Sequence, residues 1–258
     1  MATETAIEII QIDKGVITFL IRGTTPLILN RMSEKARREL LLPRGRKTAA
    51  DKAANLKHNP LEEFRASPYI IRDDTAPTYL AVTAGSFKGA LGTAALDLPG
   101  ARKAQIGRLV YVESQAYREL IPIYGEPQLL MSVVRSADMN RTPDIRSRVI
   151  VPQWAAHLTI SYVRPTLRDA AIVNLLAAAG ITAGVGDWRP EKGKGSYGQF
   201  MPVSGDDTVT NKIINTWGRQ TQIAAMAHPA PYDLETEELF SWFEGEAPKR
   251  GFEVETAS

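Results

Sequence analysis

The order in which strand-like and helix-like apolar patterns follow one another constrains the fold of this chain more than any other feature. Residues 6–23 hold two apolar runs around Asp13-Lys14-Gly15, and in the second run Ile17, Phe19 and Ile21 alternate with Thr18, Leu20 and Arg22, which predicts a strand that is buried more on one face than on the other. A helix, two or more strands, a second helix and a last strand follow. They are predicted at 87–96 (helix), 109–112, 120–124 and 157–163 (strands), 166–179 (helix, with Thr166 as N-cap and Gly180 as its end) and 199–203 (strand).

This βαββαβ order is that of a ferredoxin-like, or RRM-like, α+β sheet, and two segments are too long to belong to it. The first, 31–60, is polar and basic, and the second, 125–152, pairs two apolar runs around a polar tip as a long β-hairpin does. We expect both to be insertions in one domain over residues 1–204. An acidic helical tail is expected over 205–258, with one helix predicted at 207–227.

Composition excludes several classes of site. The chain has no cysteine and only three widely separated histidines, so disulfides, thiolate ligands and a histidine-rich metal site are not expected. No apolar run reaches the roughly 18–20 residues that a membrane span needs, and the N-terminus lacks a basic region followed by an apolar stretch. We therefore expect a cytoplasmic protein without a cofactor, a metal ion or a membrane partner.

Charge is distributed unevenly, although the formal net charge is only +2. Residues 31–57 hold nine Lys or Arg against three Asp or Glu, whereas residues 233–246 hold six acidic residues and no basic one. Such a distribution is typical of a protein with a basic groove and an acidic end, or of two solvated helix faces. The expected contacts of the basic segment with a ligand are Arg31, Arg44, Arg46 and Lys47.

The segment 85–91, with the sequence GSFKGAL, lies where a predicted strand gives way to a helix. Small residues there allow close approach of a partner, and the free N–H groups of a helix start favour anions such as phosphate. Lys88 adds a positive charge in the first turn, where it opposes the helix dipole. Ser86, Lys88 and Gly89 are therefore candidate phosphate contacts, and the alternative is a tight turn with a surface lysine.

Residues 184–198, GVGDWRPEKGKGSYG, contain five glycines, three basic residues and two aromatic residues. They form neither a P-loop nor a dinucleotide fingerprint, because a strand and not a helix follows them. Glycines allow close approach of a backbone, cations bind phosphates and aromatic rings stack on bases. The alternative is a glycine-rich hairpin with a structural tryptophan. The candidate ligand contacts are Trp188, Arg189, Lys192, Lys194 and Tyr197.

The two motifs together resemble those of the RAMP superfamily, which includes the CRISPR backbone subunits that coat a guide RNA. GSFKGAL resembles the serine–lysine–glycine signature that opens the first helix, and residues 184–198 resemble the glycine-rich loop between the last helix and the last strand. The resemblance covers roughly residues 15–203. It departs from the family at Gly92, where an arginine is frequent, and at residues 187–190, which lengthen the loop.

The resemblance implies a subunit that binds single-stranded RNA or DNA and assembles head to tail with copies of itself, with or without other effector subunits. It also implies that the 125–152 hairpin is a protruding thumb that pins nucleic acid. The loop glycines would be Gly184, Gly186, Gly193, Gly195 and Gly198. The thumb contacts would be Arg135, Arg141, Arg146 and Arg148, with Met139 as a wedge between bases.

Other functions stay open, although we expect a binding protein and not an enzyme. Some members of the superfamily cleave RNA with a histidine near the glycine-rich loop or with a metal-bound aspartate after the first strand. Here the loop after the first strand has no acidic residue, and His58 and His157 are the candidate bases of a metal-independent endoribonuclease. The remaining alternatives are a single-stranded DNA-binding subunit of a phage or mobile element, and an interaction protein that does not bind nucleic acid.

Overall fold

The computed structural model describes residues 11–32, 34–42, 56–135, 142–193 and 195–253 of an α+β protein with antiparallel sheets, as predicted for the fold class. Its strands are β1 (Asp13–Gly23), β2 (Leu27–Leu29), β3 (Tyr69–Ile70), β4 (Leu80–Thr83), β5 (Val110–Val112), β6 (Leu120–Pro122), β7 (Tyr124–Gly125), β8 (Gln128–Arg135), β9 (Pro143–Val151), β10 (Trp154–Arg164) and β11 (Phe200–Val203). Its helices are α1 (Glu34–Leu41), α2 (Pro60–Ala66), α3 (Ala84–Ala94), α4 (Lys103–Leu109), α5 (Asp169–Thr182), α6 (Thr208–Thr216), α7 (Arg219–Ala227) and α8 (Leu234–Glu246). Within these described ranges, no helix has both the length and the apolar composition that crossing a membrane requires.

A long ladder between β1 and β10 forms the centre of the main sheet. It runs from the pair Asp13–Arg164 to the pair Arg22–Ala155. β11 pairs with the other edge of β1 and β5 with the other edge of β10, so the order is β11-β1-β10-β5 and every neighbouring pair is antiparallel. In the chain, α3 lies between β1 and β5, and α5 lies between β10 and β11. Each of these helices therefore connects two strands that have a third strand between them.

Helices α3 and α5 cover one face of this sheet, because alternate side chains of the strands point to that face and are apolar. Ile21 of β1 and Leu158 of β10 are fully buried there, together with Leu176 of α5. The rings of Phe87 on α3 and Phe200 on β11 meet edge to face, with 5.8 Å between their centres. Burial of each such side chain contributes about 1.5–3 kcal/mol to folding.

The start of α5 differs from the prediction. The helix begins at Asp169 and not directly after Thr166. The N–H of Leu167 donates to the carbonyl of Val163, 3.0 Å away, so the chain first makes a turn as it leaves β10. Thr166, the predicted N-cap, belongs to this turn, and Arg168 occupies the N-cap position instead.

The end of α5 also differs, because Gly180 lies inside the helix. A Cβ atom at this position would lie 1.9 Å from the carbonyl oxygen of Phe200, so glycine allows α5 to pack closely on β11. The helix continues to Thr182. The left-handed residue after it is Gly184, with φ +66°, whose N–H donates to Ala179 at 2.9 Å.

The predicted hairpin is present as β8 and β9, which pair from Gln128–Ile150 to Arg135–Pro143. β2 pairs with the other edge of β9, so a second sheet has the order β2-β9-β8, and α2 packs on β9. A third sheet has the order β3-β4-β6. The hairpin tip, residues 136–141, lies outside the described residues.

The single helix predicted over 207–227 is two helices, α6 and α7, with Gly218 between them as the N-cap of α7. Arg219 opens α7 and is almost fully buried. It donates to the carbonyl of Ile71 at 2.9 Å and to a carboxylate oxygen of Asp74 at 2.7 Å. A buried guanidinium needs such partners, and they fix Arg219 in place where α7 begins.

The buried amide of Gln222 anchors α7 to the sheets. Its oxygen accepts from the N–H groups of Tyr79 and Leu80 at 2.9 and 3.0 Å. Its nitrogen donates to the carbonyls of Ile123 and Gly125 at 2.8 and 3.0 Å. One side chain thus satisfies four backbone groups.

Gln222→Ala should lower the free energy of unfolding by roughly 3–5 kcal/mol, because it leaves these four groups without their partner. Urea denaturation followed by circular dichroism measures the change. Gln220→Ala is the matched control, since Gln220 is exposed on the same helix and its loss should change stability by less than about 0.5 kcal/mol. Equal effects of the two substitutions would contradict the anchoring role of Gln222.

Candidate nucleic-acid interface

An open groove of about 580 Å³ lies between the half of the β8–β9 hairpin nearer its tip, the end of α2 and the glycine-rich loop. We name it the arginine groove. Glu63 is the one acidic side chain among the described residues that line it. The fold thus brings together ligand contacts that were predicted from distant parts of the sequence. They are Arg31, Arg135, Arg146, Arg148 and Trp188.

Arg148 is the most buried of these arginines, with 8% of its side chain exposed. Its Nη1 lies 2.8 Å from Oδ2 of Asp187, and the same oxygen accepts from Nδ2 of Asn30 at 3.0 Å. Burial lowers the pKa of Arg148, and the Asp187 carboxylate acts in the opposite direction. The guanidinium also lies 5.4 Å from the centre of the Trp188 ring, within cation–π range. Arg148 therefore joins the hairpin to the loop and orients the tryptophan.

Trp188 is held by the shape of the glycine-rich loop. Its backbone has a positive φ of 51°, and its half-buried ring packs on an apolar cluster of β2, β8 and β9. The ring of Tyr197 lies 6.0 Å away. A Cβ atom at Gly195 would lie 1.6 Å from the Trp188 carbonyl oxygen, and one at Gly198 would lie 1.7 Å from that of Val185. The loop folds closely on its own backbone and leaves part of the indole open to the groove.

The other three arginines offer more accessible charge. Arg135 is exposed and pairs with no carboxylate in the part of the chain that the structure describes. Arg146 is half-exposed, and its Nη2 lies 3.0 Å from Oδ2 of Asp144. The guanidinium of Arg31 lies 5.5 Å from the centre of the Tyr69 ring. Each of these side chains has donors that can face a ligand in the groove.

A histidine lies between two carboxylates, an arrangement that no local sequence pattern indicates, and one of the two, that of Glu63, lines the groove. Nδ1 of His58 lies 2.6 Å from Oε1 of Glu63, and Nε2 lies 2.8 Å from Oδ1 of Asp144. Burial raises the pKa of Asp144, but hydrogen bonds from Lys57 and His58 outweigh it and hold the pKa below its usual value. These contacts tie the start of α2 to the hairpin.

The same contacts bear on the endoribonuclease hypothesis. Both ring nitrogens of His58 face carboxylates of the protein, which lie on opposite sides of the ring and do not converge on one point. Among the described residues, no three acidic or histidine side chains are grouped as metal ligands. His157 lies edge-on to the ring of Tyr124, with 6.2 Å between ring centres. Catalysis by either histidine stays a prediction.

The GSFKGAL motif lies in the first turns of α3, away from the arginine groove. Thr83 is the N-cap, and its hydroxyl oxygen accepts from the N–H of Ser86 at 3.2 Å. The ammonium of Lys88 lies 4.5 Å from the centre of the Tyr111 ring, on the edge strand β5. Lys88 is not among the residues that line the groove. The predicted phosphate contacts of Ser86, Lys88 and Gly89 stay predictions.

The glycine-rich loop meets α3 at the opposite end of that helix. The Thr93 hydroxyl donates to Glu191 at 2.9 Å, and Nε of Arg189 donates to the same carboxylate at 2.7 Å. Burial raises the pKa of Glu191, but the bonds from Thr93 and Arg189 outweigh it and lower the pKa. Nη1 of Arg189 also donates to the carbonyl of Gly186 at 2.9 Å. Arg189 thus braces the loop, whereas Lys192 is exposed.

Six predicted contacts lie outside the described residues, and their predicted roles stay predictions. They are Arg44, Arg46, Lys47, Met139, Arg141 and Lys194.

The sequence matches no model of a known protein family, and no curated protein matches it at a significant level. Function is therefore inferred from the groove and from the arrangement of the elements around it.

Asp187→Ala should lower the free energy of unfolding by about 2–3 kcal/mol, because the Arg148 guanidinium would be left nearly buried without its counter-ion. Tryptophan fluorescence during urea unfolding measures the loss. Asp97→Ala is the control, since Asp97 is exposed and its carboxylate has no partner within the described ranges. If the two variants are equally stable, the ion pair does not hold the loop.

Asp144→Asn should destabilise the protein more at neutral pH than in acid. The folded-state pKa of Asp144 is lowered, so its charged form stabilises the fold fully above its ordinary pKa of about 3.9. That contribution is lost as the pH falls through the folded-state pKa. The difference between the unfolding free energies of the two proteins should be largest near pH 7 and should narrow as the pH falls below about 4. A gap that stays constant with pH would show that the Asp144 charge is not stabilising.

Proposed function

We propose that this protein binds single-stranded nucleic acid, with RNA as the expected ligand, along the arginine groove, and that it acts as a binding subunit and not as an enzyme. The observation that carries the proposal is the convergence of four arginines and one partly exposed tryptophan on a single open groove. These residues come from β9, from the end of β8, from the segment after β2 and from the loop after α5.

Charge in the groove favours a phosphate chain. Four guanidinium groups and one carboxylate line it, and that carboxylate is already engaged by the protein. Arg148 and Arg146 pair with Asp187 and Asp144, whereas Arg31 and Arg135 have no carboxylate partner in the described part of the chain and carry the charge that is open to a ligand. Oε1 of Glu63 contacts His58, and Oε2 accepts from the N–H of Ser147 at 3.2 Å. Arginine presents forked donors that match phosphate oxygens, and each phosphate that it neutralises releases counter-ions. The groove is therefore expected to bind polyanions in a salt-dependent manner.

Trp188 favours single strands over duplexes. An indole can stack on a base only if that base is free of its neighbours, and single strands and loops offer such bases. Arg148 on one side and Tyr197 on another restrain the ring, so little side-chain entropy is lost when a base binds. Stacking is tolerant of sequence, which suits a protein that coats many different strands.

We also propose that the core is ferredoxin-like and that the chain is a RAMP-type subunit. The sheet order β11-β1-β10-β5 supports this, because two helices each connect strands with a third strand between them, as in a split βαβ pair. The positions of the two insertions, 31–60 and 125–152, support it as well. The β8–β9 hairpin would then be the thumb, and the half of it nearer the tip lines the arginine groove.

Head-to-tail assembly with copies of itself, or with other effector subunits, is the last part of the proposal. α8 packs on the hairpin of its own chain, where Thr236 accepts from the N–H of Met131 at 3.2 Å and Phe240 is buried in the main core. Leu234 and Trp242 of the same acidic helix are 76% and 61% exposed. An acidic surface with exposed apolar side chains complements a basic surface on a partner subunit. Repeated head-to-tail contacts of this kind produce a filament when the rotation between subunits does not close into a ring.

Fluorescence anisotropy with labelled single-stranded RNA, single-stranded DNA and duplex, over a range of salt concentrations, tests the proposal. We expect tightest binding to single-stranded RNA, and tighter binding to DNA would favour the phage or mobile-element alternative. Arg135→Gln and Arg146→Gln should each reduce the slope of log affinity against log salt by about 0.7, the value of one contact to a single strand. Trp188→Ala should weaken binding by roughly 1–3 kcal/mol, and Trp188→Phe by less.

Arg102→Gln is the matched control, since Arg102 is exposed at the start of α4 and does not line the groove. It should leave both affinity and salt slope close to those of the wild type. Absence of binding at low salt, or binding that does not respond to salt, would overturn the proposal. Cleavage of labelled RNA in chelator that His58→Ala or His157→Ala abolishes would favour the endoribonuclease instead.

A further inference from the structure

A second open groove, also of about 580 Å³, adjoins the arginine groove. It is lined by residues 69–73, residues 116–118 and Leu120, and we name it the tyrosine groove after its two aromatic residues. Arg31 lines both grooves. The two grooves therefore lie on either side of this one arginine.

The tyrosine groove presents cations that the protein itself does not use. Arg72 and Arg118 are exposed, and neither pairs with a carboxylate in the described part of the chain. Asp73 is the one acidic residue among the described lining side chains. Its Oδ1 already accepts from the N–H and the hydroxyl of Thr75, at 2.9 and 2.7 Å. Two unpaired guanidinium groups, together with Arg31, thus face open solvent.

The backbone at Arg118 is held in a conformation that residues other than glycine rarely adopt. Its φ and ψ are 50° and 58°, and Glu119 follows with φ 67°. A left-handed residue with a side chain costs about 1–2 kcal/mol. The turn is kept by the N–H of Glu119 donating to Ser114 at 3.1 Å and by Ala84 donating to the Glu119 carbonyl at 2.8 Å. This strained turn places Arg118 at the groove, as strained residues often are at ligand sites.

The two tyrosines supply ring surface beside these cations. Tyr69 is 36% exposed, and the Arg31 guanidinium lies 5.5 Å from the centre of its ring. Tyr117 is partly buried on an apolar cluster that contains Ile71 and Leu120. The ring of Tyr117 is restrained by this packing and that of Tyr69 by the Arg31 guanidinium, so a base can stack on them with little further ordering.

We infer that the tyrosine groove is a second nucleotide-binding subsite, in which Arg72 and Arg118 bind phosphates and Tyr69 and Tyr117 stack on bases of the same strand. The inference rests on the proposed function and extends the path of the ligand beyond the arginine groove. Both grooves combine free arginines with a restrained aromatic ring, and a single strand repeats one phosphate and one base at every nucleotide. The shared Arg31 makes the two subsites continuous.

An acidic peptide is the competing occupant, because the cations alone would attract it. Residues 233–246 hold six acidic residues and several aromatic ones, so a second copy of the chain could supply such a peptide. The continuity with the arginine groove favours nucleic acid. A peptide of residues 233–246 therefore enters the test as a competing probe.

The double variant Arg72→Gln/Arg118→Gln, measured by anisotropy against single-stranded RNA of about 4 to 16 nucleotides, tests the inference. The shortest oligonucleotides should bind as they do to the wild type, because they fill the arginine groove alone. The longest should bind about 20-fold more weakly at about 0.1 M salt, and their salt slope should fall by about 1.4. The matched control is Arg102→Gln/Arg168→Gln, two exposed arginines outside both grooves.

Tyr69 gives a second readout that does not depend on charge. Tyr69→Leu should weaken binding of the longest oligonucleotides at least about fivefold, whereas Tyr69→Phe, which keeps the ring, should not. Circular dichroism and thermal melting of each variant confirm that the fold is intact.

Each other outcome overturns the inference in a distinguishable way. If the arginine double variant binds oligonucleotides of every length as the wild type does, while Arg135→Gln still weakens binding, the arginine groove is a binding site and the tyrosine groove is not. If the double variant loses affinity equally for oligonucleotides of every length, the substitutions act through the fold or through the overall electrostatic field, and the second subsite is again ruled out. If the peptide binds the wild type but not the double variant, and long RNA binds both equally, the tyrosine groove takes a protein. If the wild type binds no oligonucleotide at all, both proposals fall together.

Discussion

The antiparallel ladder between β1 and β10 is the contact on which the rest of the molecule depends. Its apolar side chains on one face pack against α3 and α5. After a short break, β2, which follows β1, pairs with β9, which precedes β10, and the register there is shifted by one residue so that Leu27 lies opposite Val151. The corner is filled by Trp154, whose indole N–H donates to the carbonyl of Thr25 at 2.9 Å. A Cβ atom at Gly23 would lie 2.1 Å from that indole nitrogen, so the close corner needs glycine. One pairing thus sets the positions of two sheets.

The positions of the residues that line the arginine groove depend on how these strands pair. β9 carries Arg146 and Arg148, and the loop that joins α5 to β11 carries Asp187 and Trp188. β2 holds β9 and this loop next to each other, because Ile28 pairs with Ile150 and its carbonyl accepts from the N–H of Asp187 at 2.9 Å, so Arg148 can reach Asp187 across 2.8 Å. Loss of the register by one residue would turn the alternate side chains of β9 to the other face and disperse the groove.

Arginines in this protein fall into two groups with different physical roles. Arg148, Arg189 and Arg219 are wholly or largely buried and bind carboxylates or backbone carbonyls of the chain, where their charge orders loops and helix starts. Others, such as Arg72 and Arg135, are exposed and pair with no carboxylate in the described ranges. The first group shapes the two grooves, and the second gives them a positive field for the proposed ligand.

The sequence by itself determined the α+β class, the strand around Ile17–Ile21, the β8–β9 hairpin and the existence of a tightly folded glycine-rich loop, because alternation and glycine content report on local backbone geometry. Only the tertiary structure decided that Gly180 packs inside a helix and that a helix starts anew at Arg219. It alone brought His58 to Asp144, 86 residues along the chain, and Arg31 to Trp188 in one groove. Such contacts depend on strand register and on which faces pack together, and neither is encoded within any short stretch of residues.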